Sequence, residues 1–388
     1  MLLLDQSQLQ TYLQEHQIPS FRAKQITQAI YKESILDIDE ITTLPKDLRT
    51  QLKQDTTINY LQCVDTVEGP ETTKFLFQLP SGEILETVLM YHRHQKDESK
   101  TQDRKILRSW TKHNPSPETH KLNRITICVS SQVGCAVGCI FCVTGKMGFK
   151  KNLTREEIIM QILYANNYIK QKFWKKDDGS DRKVRNVVFM GMGEPMLNYD
   201  NMKKSIEIML NQSALSLSKR HITISTSWVV SWIDKLIEDK IPVKLALSLH
   251  APNQELRQEL IPMIAKRRPL DVLMHSIDKY VKATWNRLFY EYIMIKNKTD
   301  TDELAHELGK LLRWRLAHVN LIPYNENPAM PDLETSDFEQ ILRFKKLAES
   351  EWITITVRDT LGRDTKWACG QLGYEVIMKQ RIEEMEEN

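Results

Sequence analysis

The pattern of hydrophobic and polar positions changes period along the chain and divides it into regions. Residues 1–56 follow a helical period. The segment FRAKQITQAIYK places four apolar side chains close to one face of a helix: Phe21, Ile26, Ile30 and Tyr31. The segment TTLPKDLRTQL has Pro45 near a helix start, followed by Leu48 and Leu52 one helical turn apart. We therefore predict a small helical accessory domain over residues 1–56.

Two shorter regions follow this domain. Residues 57–90 contain β-branched and aromatic runs broken by the turn LPSGE, which predicts a strand-rich connector. Residues 91–124 have no clear period, and from Arg93 onward they carry nine Lys and Arg against four Asp and Glu. This basic insertion is either a solvated surface loop or a nucleic-acid contact.

From residue 125 onward, strands alternate with helical stretches of 10 to 20 residues. The predicted strands are RITICVS, NVVFMGM, HITISTS, VKLALSLH, LFYEYIMI, HVNLIPY and WITITVR. Such alternation is typical of an α/β fold with a parallel sheet. We predict that residues 125–376 form this core and that residues 377–388 are an acidic tail. In barrel-like α/β folds the functional residues gather at the carboxyl edge of the strands.

Composition narrows the class of protein without identifying a partner. The 388-residue chain is 41% hydrophobic and 27% charged, which suits a folded protein with a sizeable core. No apolar run approaches the ~18 residues of a membrane span, and the start MLLLDQSQLQ lacks the features of a signal peptide. We expect a cytoplasmic protein with no membrane partner. The net charge of +3 is too small to indicate a partner by itself.

Four of the six cysteines lie in the stretch CVSSQVGCAVGCIFC, which argues against a disulfide framework spread over the fold. Cys135, Cys139 and Cys142 have the spacing C-x3-C-x2-C in a loop that Gly134 and Gly138 make compact. Three close thiolates suit an iron–sulfur cluster. Zinc with a distant fourth ligand, or thiols that only pack, are the alternatives.

Several polar residues follow the predicted strands in the same way. The turn GMGEP brings Gly193 and the carboxylate of Glu194 to the end of one strand. Hydroxyl, imidazole and amide groups end or follow three other strands: Ser225, Ser248 with Leu249 and His250, and Asn320. Taken singly, each is as easily a turn residue, a helix cap or a satisfied core group as a ligand contact.

The order of these motifs supplies a resemblance. C-x3-C-x2-C with an aromatic residue before the last cysteine resembles the signature of the radical S-adenosylmethionine (SAM) superfamily. CVSSQVGC, GFKKNLT, GMGEPMLN, STS, LSLHAPN, NLIPYN and ACGQL occur in the order seen in the RlmN/Cfr family of RNA adenosine methyltransferases. FRAKQI…LPKDLR resembles the accessory region of its RlmN branch. The implied fold is a partial (β/α)6 barrel with a small N-terminal helical accessory domain.

The resemblance implies the cofactors and the site. A [4Fe–4S] cluster on Cys135, Cys139 and Cys142 leaves one iron open for SAM, and its reduction cleaves SAM to a 5′-deoxyadenosyl radical. Two SAM molecules are used per turnover, and SAM contacts fall to one set of residues: Gly193, Glu194, Ser225, Ser248, Leu249, His250 and Asn320. An electron donor such as flavodoxin and a monomeric state are also implied.

Three further residues receive catalytic roles from the resemblance. Cys369 corresponds to the thiol that takes a methyl group from the first SAM and becomes joined to RNA. Cys128 corresponds to the thiol that resolves this adduct through a transient disulfide. Glu86 corresponds to a proton acceptor. The implied activity is methylation of carbon 2 of adenosine in 23S rRNA and, as a second substrate, tRNA. Carbon-8 methylation of the Cfr type, or a non-enzymatic RNA-binding protein with a structural metal, are the alternatives.

The sequence departs from the family pattern in three places. Trp228 stands after STS where glycine is usual, NENPAMPDLE is short and acidic, and the basic insertion lengthens the chain between Glu86 and the cysteines. A basic segment at 170–185 places Phe173 and Trp174 among lysines. That segment is either an RNA contact or a solvated helix end.

Overall fold

The structure is a computed structural model that describes residues 4–58, 61–93, 122–172, 182–227, 232–358 and 370–373. Within these residues, no helix is long and apolar enough to cross a membrane. Most of the basic insertion, residues 173–181 of the predicted RNA-contact segment and the acidic tail lie outside the described residues.

The N-terminal region is helical, as its period predicts. Its helices are α1 (Gln6–Glu15), α2 (Phe21–Thr27), which continues as a π-helix (Gln28–Lys32), a short 3₁₀ turn (Ile38–Glu40) and α3 (Lys46–Asp55). Asp5 caps α1 by accepting hydrogen bonds from the backbone N–H groups of Ser7 and Gln8. This cap satisfies donors that the first helical turn leaves without partners.

The prediction of the apolar face is wrong for one residue, Phe21. Ile26, Ile30 and Tyr31 are buried, but the side chain of Phe21 is 55% exposed. At about 100° per residue, Phe21 lies about 140° around the helix from Ile26. The guanidinium carbon of Arg22 lies 4.7 Å from the centroid of the Phe21 ring, on the solvent side.

One sheet of ten strands dominates the rest of the fold. Its strands, in spatial order, are β1 (Gln62–Glu68), β2 (Thr72–Gln78), β3 (Ile84–Arg93), β4 (Leu122–Cys128), β7 (Asn186–Phe189), β8 (Ile222–Thr226), β9 (Lys244–Ser248), β10 (Leu288–Met294), β11 (Ala317–Pro323) and β12 (Ile355–Val357). A separate hairpin pairs β5 (Gln132–Gly134) with β6 (Phe149–Asn152).

The sheet has an antiparallel part and a parallel part. Strands β1 to β4 pair antiparallel, so the predicted connector holds three strands, and β3 and β4 extend into both ends of the predicted basic loop. From β4 through β7 to β12, neighbouring strands pair parallel and follow the chain order. All seven predicted core strands are present, and their one-way winding is that of a partial barrel.

Helices connect the parallel strands and cover the outer face of the sheet. They are α4 (Val143–Lys146), α5 (Arg155–Lys172), α6 (Tyr199–Leu210), α7 (Ile233–Glu238), α8 (Gln254–Leu260), α9 (Pro262–Ala265), α10 (Leu270–Thr284), α11 (Asp302–Leu312) and α12 (Phe338–Glu349). Two 3₁₀ turns, Pro195–Asn198 and Lys219–His221, precede α6 and β8.

The register of the sheet decides which side chains face the barrel interior. Cys128 pairs with Val188 of β7, and Glu291 of β10 pairs with both Ser248 of β9 and Asn320 of β11. Because paired residues present their side chains on the same face, these polar groups share the inner face of the sheet. The inner face near the ends of the strands is therefore polar, whereas the outer face packs under the helices.

Candidate active site

A pocket opens at the carboxyl edge of the parallel strands. It holds about 880 Å³ of space, including its open mouth. Its lining combines the cysteine loop with the ends of β7 to β12. The polar and glycine residues that line it are Cys135, Cys139, Cys142, Gly191, Gly193, Glu194, Ser225, Thr226, Ser227, Ser248, His250, Glu291, Arg358 and Gly370. The structure therefore brings the predicted cysteine loop and most of the predicted strand-end residues to one place.

The cysteine loop leaves the hairpin strand β5 and runs into α4. At Gly134, where the loop begins, φ is +70° and an added Cβ would lie 1.7 Å from the carbonyl oxygen of Gly148. Only glycine fits a left-handed backbone that closely packed. Further along, the backbone N–H of Ile140 donates to the carbonyl of Leu260 on α8 at 3.1 Å. The loop is thus held at its start and at Ile140 by close packing and a backbone hydrogen bond.

The three thiols of the loop stand in a site of low polarity. Burial raises the pKa of Cys135 to about 12 and raises the pKa values of Cys139 and Cys142 as well. The charges of neighbouring thiolates raise the pKa of Cys135 and Cys139 further. Such thiols stay protonated unless a cation stabilises the thiolates, so a bound metal centre would displace their protons.

The donor set of the loop fits an iron–sulfur cluster. An iron–sulfur cluster binds each cysteine through a different iron, so its ligand sulfurs stand farther apart than those around zinc. The guanidinium of Arg257, buried behind the loop with two nitrogens lacking a partner among the described groups, also favours an anionic group at this position.

The loop after β7 holds Glu194 in a fixed position. At Gly193, φ is +97° and an added Cβ would lie 2.5 Å from the side chain of Gln132. The side-chain oxygen of Gln132 accepts from the backbone N–H of Glu194 at 2.8 Å. The Glu194 carboxylate in turn accepts from Met196 N at 3.1 Å and from the backbone N–H and hydroxyl of Ser227, both at 2.9 Å.

Two opposing effects act on the charge of Glu194. Burial raises the pKa of this carboxyl, and its hydrogen bonds to Thr226, Ser227 and Met196 lower it. The bonds from two backbone N–H groups and a hydroxyl favour the ionised form. The side chain is therefore a fixed acceptor in the wall of the pocket. Its hydrogen-bond donors lie at the end of β8 and in the 3₁₀ turn Pro195–Asn198.

The residues at the ends of β8 and β9 differ in what they offer the pocket. The hydroxyl oxygens of Ser225 and Ser248 lie 3.4 Å apart and both side chains line the pocket. The side chain of Leu249 is fully buried in the core, so it offers no side-chain group to a ligand. Its N–H already donates to the carbonyls of Leu247 and Glu291.

His250 is a neutral ring at the pocket wall. Its backbone has φ +58°, and its Nδ1 accepts from the N–H of Ile293 at 3.2 Å. Burial and the nearby positive charge of Arg257 lower its pKa to about 3. Because Nδ1 is the acceptor, the proton of the neutral ring is on Nε2, which leaves a donor for a bound molecule.

A polar group that the sequence analysis missed lies beside these residues. Glu291 is buried on the inner face of β10, and its Oε1 accepts from Asn320 Nδ2 at 3.1 Å and from Arg358 Nη2 at 3.2 Å. Its Oε2 has no hydrogen-bond partner among the described residues. The predicted contact residue Asn320 therefore reaches the pocket through Glu291. A glutamate inside the apolar run LFYEYIM was the available signal.

Two residues with predicted catalytic roles, Cys128 and Glu86, lie near the edge of the pocket but do not line it. Cys128 ends β4 and is 7% exposed. Glu86 lies two residues beyond the partner of Cys128 on β3, toward the same edge of the sheet. Its carboxylate oxygen is 3.7 Å from the ammonium of Lys74, and both side chains are almost fully buried. Cys63, Cys135, Cys139 and Cys142 are free thiols.

The remaining predicted residues lie outside the described residues: Cys369, Trp228, Phe173 and Trp174. Gly370, which follows Cys369, lines the pocket, and its carbonyl accepts from the N–H of Val143 at 2.8 Å. The hydroxyl of Thr144 donates to the carbonyl of Leu372 at 2.8 Å. Residues 370–373 are therefore bound to the start of α4, directly beside the cysteine loop.

Known proteins share both the sequence and the fold. The family profile described as the radical SAM superfamily matches residues 129–308, and that of the ribosomal RNA large subunit methyltransferase N-terminal domain matches residues 1–58. A solved structure, titled a radical SAM methyltransferase from Sphaerobacter thermophilus, is 37% identical with a TM-score of 0.81. The alignment covers 95% of this chain and 97% of the other.

Curated relatives give the same result over nearly the whole chain. A Dictyoglomus thermophilum protein named "Probable dual-specificity RNA methyltransferase RlmN" is 40% identical over 91% of this chain and 90% of its own length. The Nitrosopumilus maritimus "Ribosomal RNA large subunit methyltransferase N" is 37% identical over 92% of this chain and 93% of its own length. Identity at this level, across both the helical region and the barrel, shows that the chain belongs to the RlmN family of radical SAM RNA methyltransferases.

Proposed function

We propose that this enzyme methylates carbon 2 of adenosine in 23S rRNA and in tRNA, with Cys369 as the methyl carrier. The observation that carries the proposal is the position of Gly370 in the lining of the pocket that the three clustered cysteines also line. The chain thus brings the segment next to its distant cysteine to the cysteine loop. The printed names of the relatives, which specify ribosomal RNA and dual specificity, support the two substrates.

Cys135, Cys139 and Cys142 would hold the [4Fe–4S] cluster in this proposal. When bound, the cluster supplies the electron that cleaves SAM to a carbon radical. The chain's own part is to bind and orient two SAM molecules per turnover. Glu194 offers a fixed carboxylate to the amino group of SAM, and the Nε2 proton of His250 is available to an acceptor on the ligand.

The serines and the glutamate of the barrel wall complete the proposed SAM site. Ser225 and Ser248 present hydroxyls 3.4 Å apart, suited to polar groups of the sugar or the amino acid. Asn320 acts as a positioning residue, since its amide donates to the Glu291 carboxylate that lines the pocket. Gly193 permits the close backbone approach, and Leu249 contributes its backbone alone.

Cys369 and Cys128 divide the thiol chemistry between them. The Cys369 thiolate attacks the methyl carbon of the first SAM, so that an S-methyl group forms on Cys369 and S-adenosylhomocysteine leaves. The 5′-deoxyadenosyl radical from the second SAM would take a hydrogen atom from the S-methyl group and leave as 5′-deoxyadenosine. The methylene radical on Cys369 would then add to carbon 2 of adenine, and loss of one electron, for which the cluster would be the acceptor, would leave RNA joined to Cys369. Glu86 accepts the proton from carbon 2, and attack of Cys128 on the Cys369 sulfur releases methyladenosine and forms a disulfide. The ammonium of Lys74 lies 3.7 Å from the carboxylate of Glu86 and holds this proposed proton acceptor in place.

Peptide mass spectrometry on Cys369 tests the carrier step. We would reconstitute the full chain anaerobically, add SAM and RNA, and compare the unchanged protein with Cys128→Ala. The proposal expects a methyl group on Cys369 in the unchanged protein and RNA trapped on Cys369 in the variant. Cys63→Ala, a thiol on β1, is the matched control and should trap no RNA.

The product defines the ring position. Digestion of the modified RNA and comparison with standards should give 2-methyladenosine, whereas 8-methyladenosine would replace the proposal with the Cfr-type reaction. An unmodified Cys369 in protein that holds its iron would rule out the carrier role and leave the family assignment intact. The flavodoxin-type donor, the monomeric state and the cytoplasmic location stay predictions.

A further inference from the structure

Arg257 is the least expected buried side chain near the pocket. It lies on α8 and is 0% exposed, among the largest fully buried side chains of the described residues. Its Nη2 donates to the backbone carbonyl of Ser227 at 3.0 Å. Its Nε and Nη1 have no hydrogen-bond partner among the described residues. One hydrogen bond to a neutral carbonyl does not compensate for the hydration free energy that a guanidinium loses on burial.

Glu194 and His250, which lie near Arg257, do not supply the negative charge that its buried cation requires. Burial lowers its pKa only to about 10, so the side chain is a cation at neutral pH. The carboxylate of Glu194 already accepts hydrogen bonds from Met196, Thr226 and Ser227. His250 is kept neutral by burial and by the charge of Arg257 itself.

The cysteine loop is the remaining partner. The guanidinium of Arg257 donates to the carbonyl of Ser227, a residue that lines the same pocket as Cys139 and Cys142. Contacts hold the two elements together: Ile140 N–H donates to the Leu260 carbonyl, and Leu256 of α8 packs in the same apolar cluster as the cysteine loop. Helix α8 therefore carries a buried cation to the back of the cysteine loop.

We propose that Arg257 is the counter-ion of the iron–sulfur cluster, placed on α8 to offset the negative charge of the thiolates and to favour the reduced state. The inference rests on the proposed function, because it requires the cluster on Cys135, Cys139 and Cys142. Net charge and hydrogen bonds to the sulfurs are two of the factors that set the potential of such clusters. A cation that replaces water there favours the added electron, and its unpartnered N–H groups are available as donors.

A second role for Arg257 must be separated from this one. The bond to the Ser227 carbonyl also fixes the loop that supports Glu194, so Arg257 could act only as a strut. A strut predicts that its loss lowers the stability of the metal-free protein and leaves the potential of the cluster unchanged. A counter-ion predicts the reverse, because in the metal-free protein Arg257 is a buried cation facing protonated thiols.

The test is the reduction potential of the cluster in the full chain, measured by a dithionite titration followed by electron paramagnetic resonance. We expect Arg257→Met to shift the potential to more negative values and Arg257→Lys to shift it less, since lysine keeps the charge. Arg315→Met is the matched control: Arg315 pairs with Asp278, away from the pocket lining, and its loss should leave the potential unchanged.

The stability of the metal-free protein supplies the second measurement. Metal-free Arg257→Met should be at least as stable in urea as the unchanged protein. If Arg257→Met does not fold, Arg257→Gln serves for both measurements. A potential equal to that of the unchanged protein in cluster-bearing Met or Gln variants would overturn the inference alone. Failure of the unchanged protein to bind iron would instead contradict the proposed cofactor, and the inference with it.

Discussion

At the scale of single residues, Glu194 shows how one carboxylate is prepared for a ligand. Hydrogen bonds from Met196, Thr226 and Ser227 fix it, and Ser227 supplies two of them. In Glu194→Gln, the amide N–H₂ group would face N–H or O–H donors that now point at a carboxylate oxygen. A hydrogen bond is lost there, and the contact between two donors is repulsive. We expect SAM affinity to fall at least about tenfold, or ~1.4 kcal/mol.

Equilibrium dialysis of SAM with cluster-loaded protein measures this change. Glu207→Gln, an exposed position on α6, is the control and should bind SAM as the unchanged protein does. Equal SAM affinity for Glu194→Gln and Glu207→Gln would show that the carboxylate of Glu194 has no part in binding.

His250 gives the metal-free protein a specific sensitivity to acid. Its pKa is lowered from 6.5 to about 3 in the fold, chiefly by burial. Above pH 6.5 the ring is neutral in both states, so it adds no pH dependence. Below that pH the unfolded chain binds a proton that the folded chain refuses until about pH 3, so stability is lost as the pH falls. The loss is about 1.4 kcal/mol per pH unit for one fully shifted group.

Urea unfolding at pH 7 and pH 5 checks the expectation for His250. His250→Asn keeps a side-chain acceptor for the Ile293 N–H and tolerates a left-handed backbone, but it does not titrate. The variant should lose about 2 kcal/mol less than the unchanged protein between the two pH values. Identical losses in both proteins would mean that His250 binds its proton in the fold as easily as in the unfolded chain.

At the scale of elements, the β5–β6 hairpin explains why the cysteine loop needs its glycines. Gly134 and Gly148 have nearly the same left-handed backbone, with φ of +70° and +66°. An added Cβ at Gly134 would meet the carbonyl of Gly148, whereas an added Cβ at Gly148 has nothing within 4 Å. The two positions are therefore a matched pair that separates backbone strain from a steric clash.

The pair gives a direct prediction. Gly148→Ala should cost only the left-handed penalty of about 1–2 kcal/mol in unfolding free energy. Gly134→Ala should cost several kcal/mol more, because one of the two hairpin strands must move. Iron content after reconstitution should fall sharply for Gly134→Ala alone. Equal stability and equal iron content in the two variants would contradict this account of the loop.

At the scale of the whole molecule, the helical region and the barrel share one apolar core. A single cluster of buried side chains runs from Leu4 in the first region to Leu372 beside the pocket. Polar contacts reinforce the junction: Arg155 of α5 pairs with Asp5 at 3.1 Å, and Asn167 donates to the carbonyl of Ser34 at 2.9 Å. The helical region and the barrel, which the sequence pattern separates into two domains, therefore share one packed core.

This shared core predicts a single cooperative unfolding transition. Hydrogen exchange in increasing urea should give the amides of α2 and of β10 the same free energy of opening. Arg155→Ala should lower that energy for both elements together, by about 1 kcal/mol. Opening of α2 at a distinctly lower urea concentration than β10 would show two independent units.

Local patterns predicted much of this architecture, and the exceptions have physical causes. The seven core strands and the helices around them follow from periodicity, because each element buries one face. The exposure of Phe21 was missed because the helix period alone does not say where the buried stripe begins. The antiparallel pairing of β1 to β3 was not predicted, because short alternating runs do not specify their pairing partners.

The candidate site divides in the same way. The cysteine spacing and the GMGEP turn are local, so the sequence alone determined their chemistry and their order along the chain. The pairing of Asn320 with Glu291 and the burial of Arg257 behind Cys139 depend on contacts between segments distant in sequence. Only the tertiary structure decided these, because the low polarity that gives a buried charge its effect exists only after the elements pack together.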